Sequence, residues 1–197
     1  MILNKIIAAA LPMLVSGIAY AQTTDAPPPR LRAGYPDSRL VTLSPIQFTE
    51  NGIGFSLGYE QDIDRAGIVA FRLPILATFN LAKNNAQNGY KNDPMYYFTP
   101  GVKFYPSGSY GPVKYAIGPT LVVGGGRRST YTNKTYLYEN KFLLGVAVNN
   151  SVNIYPAKHF YLGIDLGLGI TYVNKIGGAN QGVKPIVQGS FMMGYRF

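Results

Sequence analysis

The sequence predicts an all-β protein: a closed eight-stranded antiparallel up-and-down β-barrel that crosses a lipid bilayer. Three observations lead there. The chain ends on a strand with Val187, Gly189, Phe191, Met193, Tyr195 and the terminal Phe197 on one face, and Ile186, Gln188, Ser190, Met192, Gly194 and Arg196 on the other. Successive side chains of a strand point to opposite sides, so a mostly apolar face that runs to the last residue needs an apolar medium beside it. Lipid around a closed barrel supplies that medium. Segments with the same alternation recur from Leu40 onward. Hydrophobic residues are 47% of the chain, yet mean hydropathy is only +0.03, the averaging that alternating lipid-facing and lumen-facing residues produce.

The amino terminus reads as an export signal over residues 1–21. Asn4 and Lys5 precede an apolar stretch from Ile6 to Val15, and Ser16 and Gly17 lead to Ala19-Tyr20-Ala21, the small-x-small pattern of a cleavage site. Cleavage after Ala21 leaves Gln22 first. A membrane-anchoring helix needs about 20 apolar residues, and Pro12 interrupts a run about half that length. The chain has no Cys, which excludes a lipoprotein anchor and disulfides. Residues 22–39, with Pro27-Pro28-Pro29, Pro36 and scattered charge, read as a flexible lead. The barrel is expected over residues 40–197.

The first strand, Leu40 to Glu50, alternates poorly because Leu43 and Phe48 have opposite parity; a bulge near Pro45 explains the change. Asn51-Gly52 reads as a tight hairpin turn. The second strand, Ile53 to Gln61, points Ile53, Phe55, Leu57 and Tyr59 outward. The third, Gly67 to Phe79, sends Val69, Phe71, Leu73, Ile75, Ala77 and Phe79 out and keeps Arg72 in the lumen. The fourth, Met95 to Tyr105, faces Tyr96, Phe98, Val102 and Phe104 outward, and the fifth, Val113 to Gly124, does so with Tyr115, Ile117, Leu121 and Val123. The sixth, Lys141 to Tyr155, opposes Phe142, Leu144, Val146, Val148, Val152 and Ile154 to Lys141, Gly145, Ala147, Asn149, Ser151 and Asn153. In the seventh, Phe160 to Tyr172, the even-numbered apolar residues oppose Tyr161, Gly163, Asp165, Gly167, Gly169 and Thr171; a one-residue slip would turn Asp165 into hydrocarbon. The eighth strand is the carboxy-terminal one. Pro74, Pro100 and Pro119 also fall inside strands, where each removes a ladder donor and normally implies a bulge or an edge.

Connections alternate in length. Asp62 to Ala66, Pro106 to Pro112 and Pro156 to Lys158 are short, whereas Leu81 to Pro94, Gly125 to Asn140 and Val173 to Pro185 are long and polar. Short turns on one side and long loops on the other are a feature of membrane barrels. From Leu40 to Phe197 the chain resembles the small eight-stranded bacterial outer-membrane proteins of the OmpA/OmpX kind, including those common in Bacteroidetes. The resemblance implies a Gram-negative outer-membrane location, chain ends in the periplasm and a monomer. It also implies that the final strand, with Tyr195 and Phe197, is the signal read by the barrel assembly machinery. No wall-binding domain is expected after Phe197.

An eight-stranded barrel is just wide enough for side chains to fill. Glu60, Arg72, Lys103, Lys114, Lys141 and Asp165 are expected in the lumen beside Gln47, Asn149, Asn153 and Gln188. Enclosed charges need partners, so these residues are expected to form a polar plug. The alternative is a narrow channel or transporter for a small solute or hydrophobic compound.

The chain carries a formal charge of +9. In a soluble protein this would suggest nucleic acid, but export makes nucleic acid an improbable partner. Lys83, Lys91, Arg127, Arg128, Lys134, Lys175 and Lys184 fall in the long loops, with Tyr90, Tyr131, Tyr136 and Tyr138 among them. Such a rim attracts the phosphates of lipopolysaccharide electrostatically, and an external partner is the other expected contact. Gly124-Gly125-Gly126 precedes Arg127 without the Lys-Ser/Thr of a phosphate-binding loop. The single His, His159, falls beside a short turn, away from where barrel enzymes keep their chemistry. No catalytic residue, cofactor or metal site is expected, and the reading is of a non-enzymatic protein.

Overall fold

The computed structural model describes residues 39–64, 66–79, 93–108, 111–132 and 135–197. The expected signal and nearly all of the lead lie outside these residues; Arg39, read as the end of the lead, instead opens the first strand. Ten hydrogen-bonded segments follow: β1 (Arg39–Thr49), β2 (Gly52–Asp62), β3 (Val69–Phe79), β4 (Pro94–Phe98), β5 (Gly101–Phe104), β6 (Val113–Thr132), β7 (Thr135–Ile154), β8 (Phe160–Ile176), β9 (Ala179–Asn180) and β10 (Lys184–Arg196). β4 and β5 are two halves of one stave, and β9 is a short piece hydrogen-bonded to the end of β8. Eight staves remain, each antiparallel to its neighbours, and β10 pairs with both β8 and β1 to close the barrel.

Burial shows which way each strand faces. Leu57, Ile75 and Ile164 are 57%, 61% and 60% exposed, whereas Lys103 and Asn153 are 2% and 0% exposed. A water-soluble barrel would show the reverse. Here apolar side chains cover the outside and most charged strand residues lie within, as the sequence alternation requires. A one-residue slip of β3 would turn Arg72 outward, at a cost of about 2–4 kcal/mol near the bilayer middle.

The irregular positions have separate causes. In β1 the pairing with β10 shifts between Leu43 and Ile46, and that with β2 between Ser44 and Gln47. The bulge at Ser44-Pro45 lets Leu43, Ile46 and Phe48 all face out. The β1–β2 hairpin differs from expectation by one residue. Thr49 pairs with Gly52, so Glu50-Asn51 form the loop, and Gly52 opens β2 with φ of 132°. A backbone in that region favours glycine.

The fourth stave, expected as one strand, breaks at Thr99-Pro100. Thr99 donates its N–H to the Pro74 carbonyl (3.1 Å) and Leu121 donates to that of Pro100 (2.9 Å). In an antiparallel ladder such paired residues exchange both bonds, so the donors that Pro74 and Pro100 lack are those that would return the bond. The same alternation turns the Pro119 nitrogen toward Val102, away from the unbroken β6–β7 ladder. Three missing donors therefore gather around one seam.

The loops expected over Gly125 to Asn140 and Val173 to Pro185 are shorter than the sequence suggested. β6 and β7 stay paired without a shift from Val113↔Ile154 to Thr132↔Thr135, and β8 runs on to Ile176. Once strands leave the bilayer both faces meet water, and the alternation that identifies them in sequence disappears. At the opposite end, Asp64 ties the β2–β3 turn by accepting N–H bonds from Ala66, Ile68 and Val69. Against the desolvation of its carboxyl, the donors from Val69, Ile68 and Ala66 hold it below the ordinary carboxylate range.

The proline seam is the weak point of the wall. Hydrogen exchange in micelles is expected to be faster at Thr99, Val102 and Leu121 than at Asn149 and Ser151 of β7; equal protection would contradict this account.

Candidate functional site

The interior is the densest concentration of charge in the described structure, and it is layered. The proximal end is where Phe197 donates its N–H to the Arg39 carbonyl at 2.9 Å; the distal end carries the β1–β2 tip and the β6–β7 extension. At the distal mouth Asn51 donates to the Tyr97 hydroxyl and accepts from the Lys141 ammonium, while Tyr97 also reaches Glu50 at 3.4 Å. The tip of the β1–β2 hairpin is thereby tied to β4 and β7 across the opening.

Beneath this cap lies a layer of Leu76, Met95, Tyr97, Val122, Leu143, Ala147 and Ile186, all buried. This corrects the expectation of a polar filling throughout. The inward positions of β3, β6, β7 and β10 carry large apolar groups near their distal ends, which fill the bore by dispersion contact without any partner to satisfy. A cavity of about 20 Å³ follows, bordered by Gln47, Arg72, Thr99, Asn149, Asp165 and Gln188, with room for about one water molecule.

The central layer joins four of the six lumen charges. Arg72 of β3 pairs with Asp165 of β8 across the bore. Lys103 of β5 lies 3.0 Å from Glu60 of β2 and 3.9 Å from Asp165. Asn153 accepts from Lys103 at 3.2 Å and from the Tyr161 hydroxyl at 2.8 Å, and Tyr105 donates to Glu60. Lys114 stands apart, nearer the proximal end, with its ammonium 5.0 Å from the centre of the Tyr155 ring. Arg196 lies over the same ring at 5.2 Å and pairs with Asp62 at 3.8 Å. Lys141 belongs to the distal cap. The hydroxyls of Tyr97, Tyr105 and Tyr161 are partners the sequence reading did not single out, although Tyr97 and Tyr161 sit at inward positions of their strands and Tyr105, just past the end of β5, is buried with them.

At the distal rim Arg127, Arg128, Lys175 and Lys184 are exposed; Lys83, Lys91, Lys134 and Tyr90 lie outside the described residues. At the proximal end Tyr195 and Phe197 are 52% and 64% exposed. Tyr195 stacks on His159 with ring centres 5.4 Å apart, and His159 Nδ1 lies 2.8 Å from the Arg196 carbonyl oxygen. Among the described residues no group of three or more His, Cys, Asp or Glu is placed to hold a metal ion.

A closed eight-stranded wall, apolar outside and ion-paired inside, defines an integral membrane β-barrel. Comparison with solved structures finds the same fold in outer-membrane proteins. The chain is similar to a major outer membrane protein from Thermus thermophilus, with a TM-score of 0.62 at 13% identity over 82% of this chain and 99% of that one. It is also similar to Ail, the attachment invasion locus protein of Yersinia pestis, with a TM-score of 0.52 at 15% identity over 82% of this chain and 98% of that one. The chain thus has the fold of the small eight-stranded outer-membrane barrels. No protein-family model matches it, and no curated protein sequence does.

Removing one member of a buried ion pair leaves the other without compensation, at a cost of about 3–5 kcal/mol. Arg72→Met is therefore expected to lower the urea midpoint for unfolding from lipid vesicles, and adding Asp165→Leu to recover most of the loss. A double variant no more stable than the single one would show that the pair is not coupled.

Proposed function

We propose that this chain is a non-enzymatic integral protein of the Gram-negative outer membrane, with a lumen that passes no solute and a distal rim that contacts lipopolysaccharide or an external partner. The observation that carries the reading is the filled bore. The apolar layer around Leu76, Leu143 and Ile186 lies in series with the Arg72, Asp165, Lys103 and Glu60 network. An ion crossing the barrel would have to shed its hydration beside the first and break pairs in the second. The work of the molecule therefore falls to its surfaces.

On this reading the proximal end faces the periplasm and the distal rim faces outward, with basic residues at the level of outer-leaflet phosphates. The exposed rings of Tyr195 and Phe197 suit recognition by the barrel assembly machinery. His159 is engaged with the Arg196 carbonyl and the Tyr195 ring at the proximal end, the end this reading assigns to the periplasm.

Planar-bilayer recording on the purified protein tests the sealed lumen. Bursts no larger than the lipid background are expected. Stable unitary currents would overturn the proposal and favour a narrow channel or transporter.

A further inference from the structure

We propose that Arg127 and Lys175 form a binding site for the phosphate of an outer-leaflet lipid, on the membrane-facing side of the sheet that β6, β7 and β8 extend beyond the barrel. The proposal rests on the outer-membrane reading above and divides the basic rim into two faces with different tasks.

The division follows from register. Because β6 and β7 pair without a shift along their whole length, the alternation inside the barrel continues into the extension. Val122 and Leu143 are buried in the lumen, so the even-numbered residues of β6 and the odd-numbered residues of β7 keep the inner side. Arg128 is therefore an inner residue and Arg127 an outer one. In β8 a bulge at Tyr172 reverses parity. Beyond it Asn174 and Ile176 are buried, while Lys175 is exposed opposite the exposed Phe142. Lys184, two residues from buried Ile186 on β10, falls on the inner side with Arg128 and Lys141.

The two faces differ in local charge. Arg128 stands opposite Glu139 in the ladder, and Lys141 meets the Asn51 tip beside Glu50, so these two inner cations have carboxylates in their neighbourhood. Arg127 stands opposite Asn140, and Lys175 opposite Phe142. The outward positions of these strands, from Val123 to Arg127, Tyr138 to Leu144 and Val173 to Lys175, hold no Asp or Glu. On the β4 side, Met95 stands opposite Gly126 and is buried, so Asp93 falls on the inner row with Arg128. Among the described residues no carboxylate shares the outer face with Arg127 and Lys175, which suits an anion from outside the chain.

The level of this pair identifies the anion as a lipid phosphate. Tyr96, Phe142 and Tyr172 are exposed on the outer wall near its distal end, and exposed aromatic rings mark a bilayer interface. One row runs in register across four strands, Tyr96, Gly125, Phe142 and Lys175. Lys175 stands within the belt, and Arg127, two residues beyond Gly125, rises about 7 Å above it. A Cβ at Gly125 would have only the Lys141 carbonyl oxygen within reach, at 4.0 Å, so an open notch lies between Tyr96 and Phe142 directly below Arg127. A phosphate above that notch can accept from both cations, with lipid chain or sugar against the rings.

Calorimetric titration of the detergent-folded full chain with diphosphorylated lipid A, dephosphorylated lipid A and inorganic phosphate tests this, with heat-modifiable gel mobility confirming that each variant is folded. Arg127→Gln with Lys175→Gln is expected to weaken binding of the diphosphorylated lipid by about tenfold or more, the scale of two cations at a membrane surface. The same pair should leave the dephosphorylated lipid unaffected. Arg128→Gln with Lys184→Gln, on the inner face of the same rim, should weaken binding of the diphosphorylated lipid much less than the outer pair does. Equal binding by the outer-pair variant, or a loss confined to the inner pair, would overturn the site while leaving lipid contact intact. Failure of the unaltered chain to bind the lipid would sink both. Inorganic phosphate binding as tightly as the lipid would make the site one for soluble anions and contradict the proposal.

Discussion

In a closed eight-stranded wall, inside and outside are separated by a single residue step, so every strand must hold its register to keep charge from hydrocarbon. β8 shows the constraint most plainly. Ile164 and Leu168 are exposed on the outer surface, while Asp165, between them in sequence, is buried and paired with Arg72 across the bore. Each ladder bond contributes little net free energy in water, but in lipid an unpaired backbone group costs several kcal/mol. Closure of β10 onto β1 and β8 removes the last edge. The internal ion pairs add a second lock, because a slipped strand would leave partners unmatched on both sides of the lumen.

Much of this was legible in the sequence because the bilayer imposes it. Alternation located the bilayer-spanning part of all eight staves, and the parity change between Leu43 and Phe48 located the bulge at Ser44-Pro45. Where lipid ends, so does the signal. The extension of β6 and β7 past Gly126 reads as a polar loop because no apolar medium selects one face over the other. The apolar layer around Leu143 and Ile186 was also obscured, since an inward apolar residue and a lipid-facing one look alike until each strand's parity is fixed by its neighbours. Parity did separate neighbouring tyrosines: Tyr96, read as outward, is exposed on the lipid side, and Tyr97, on the other face of the strand, is buried among the lumen residues. What alternation could not show is which hydroxyl partners such an inward ring finds.

The proline positions show how the wall tolerates residues that remove donors. Pro45 is absorbed by a bulge, and Pro100 by a break in the stave. Pro74 and Pro119 remain inside continuous strands because each turns its missing donor toward that broken stave, leaving β2–β3 and β6–β7 complete. Defects shared across one seam leave the other ladders whole. The low identity to barrels of the same fold fits this picture. Parity, closure and a filled bore constrain residue class at each position far more than residue identity, whereas the rim beyond the bilayer is free to carry whatever contacts the individual protein makes.

The most direct test of the account asks which solvent touches each face of β8. The chain contains no cysteine, so single-cysteine variants at positions 162 through 168, spin-labelled after folding into lipid vesicles, report one site at a time. Collision with oxygen, which concentrates in acyl chains, should be high at 162, 164, 166 and 168 and low at 163, 165 and 167. Uniform values along the segment, or the opposite alternation with a water-soluble nickel reagent reaching the even positions, would contradict a barrel that turns its apolar face to lipid.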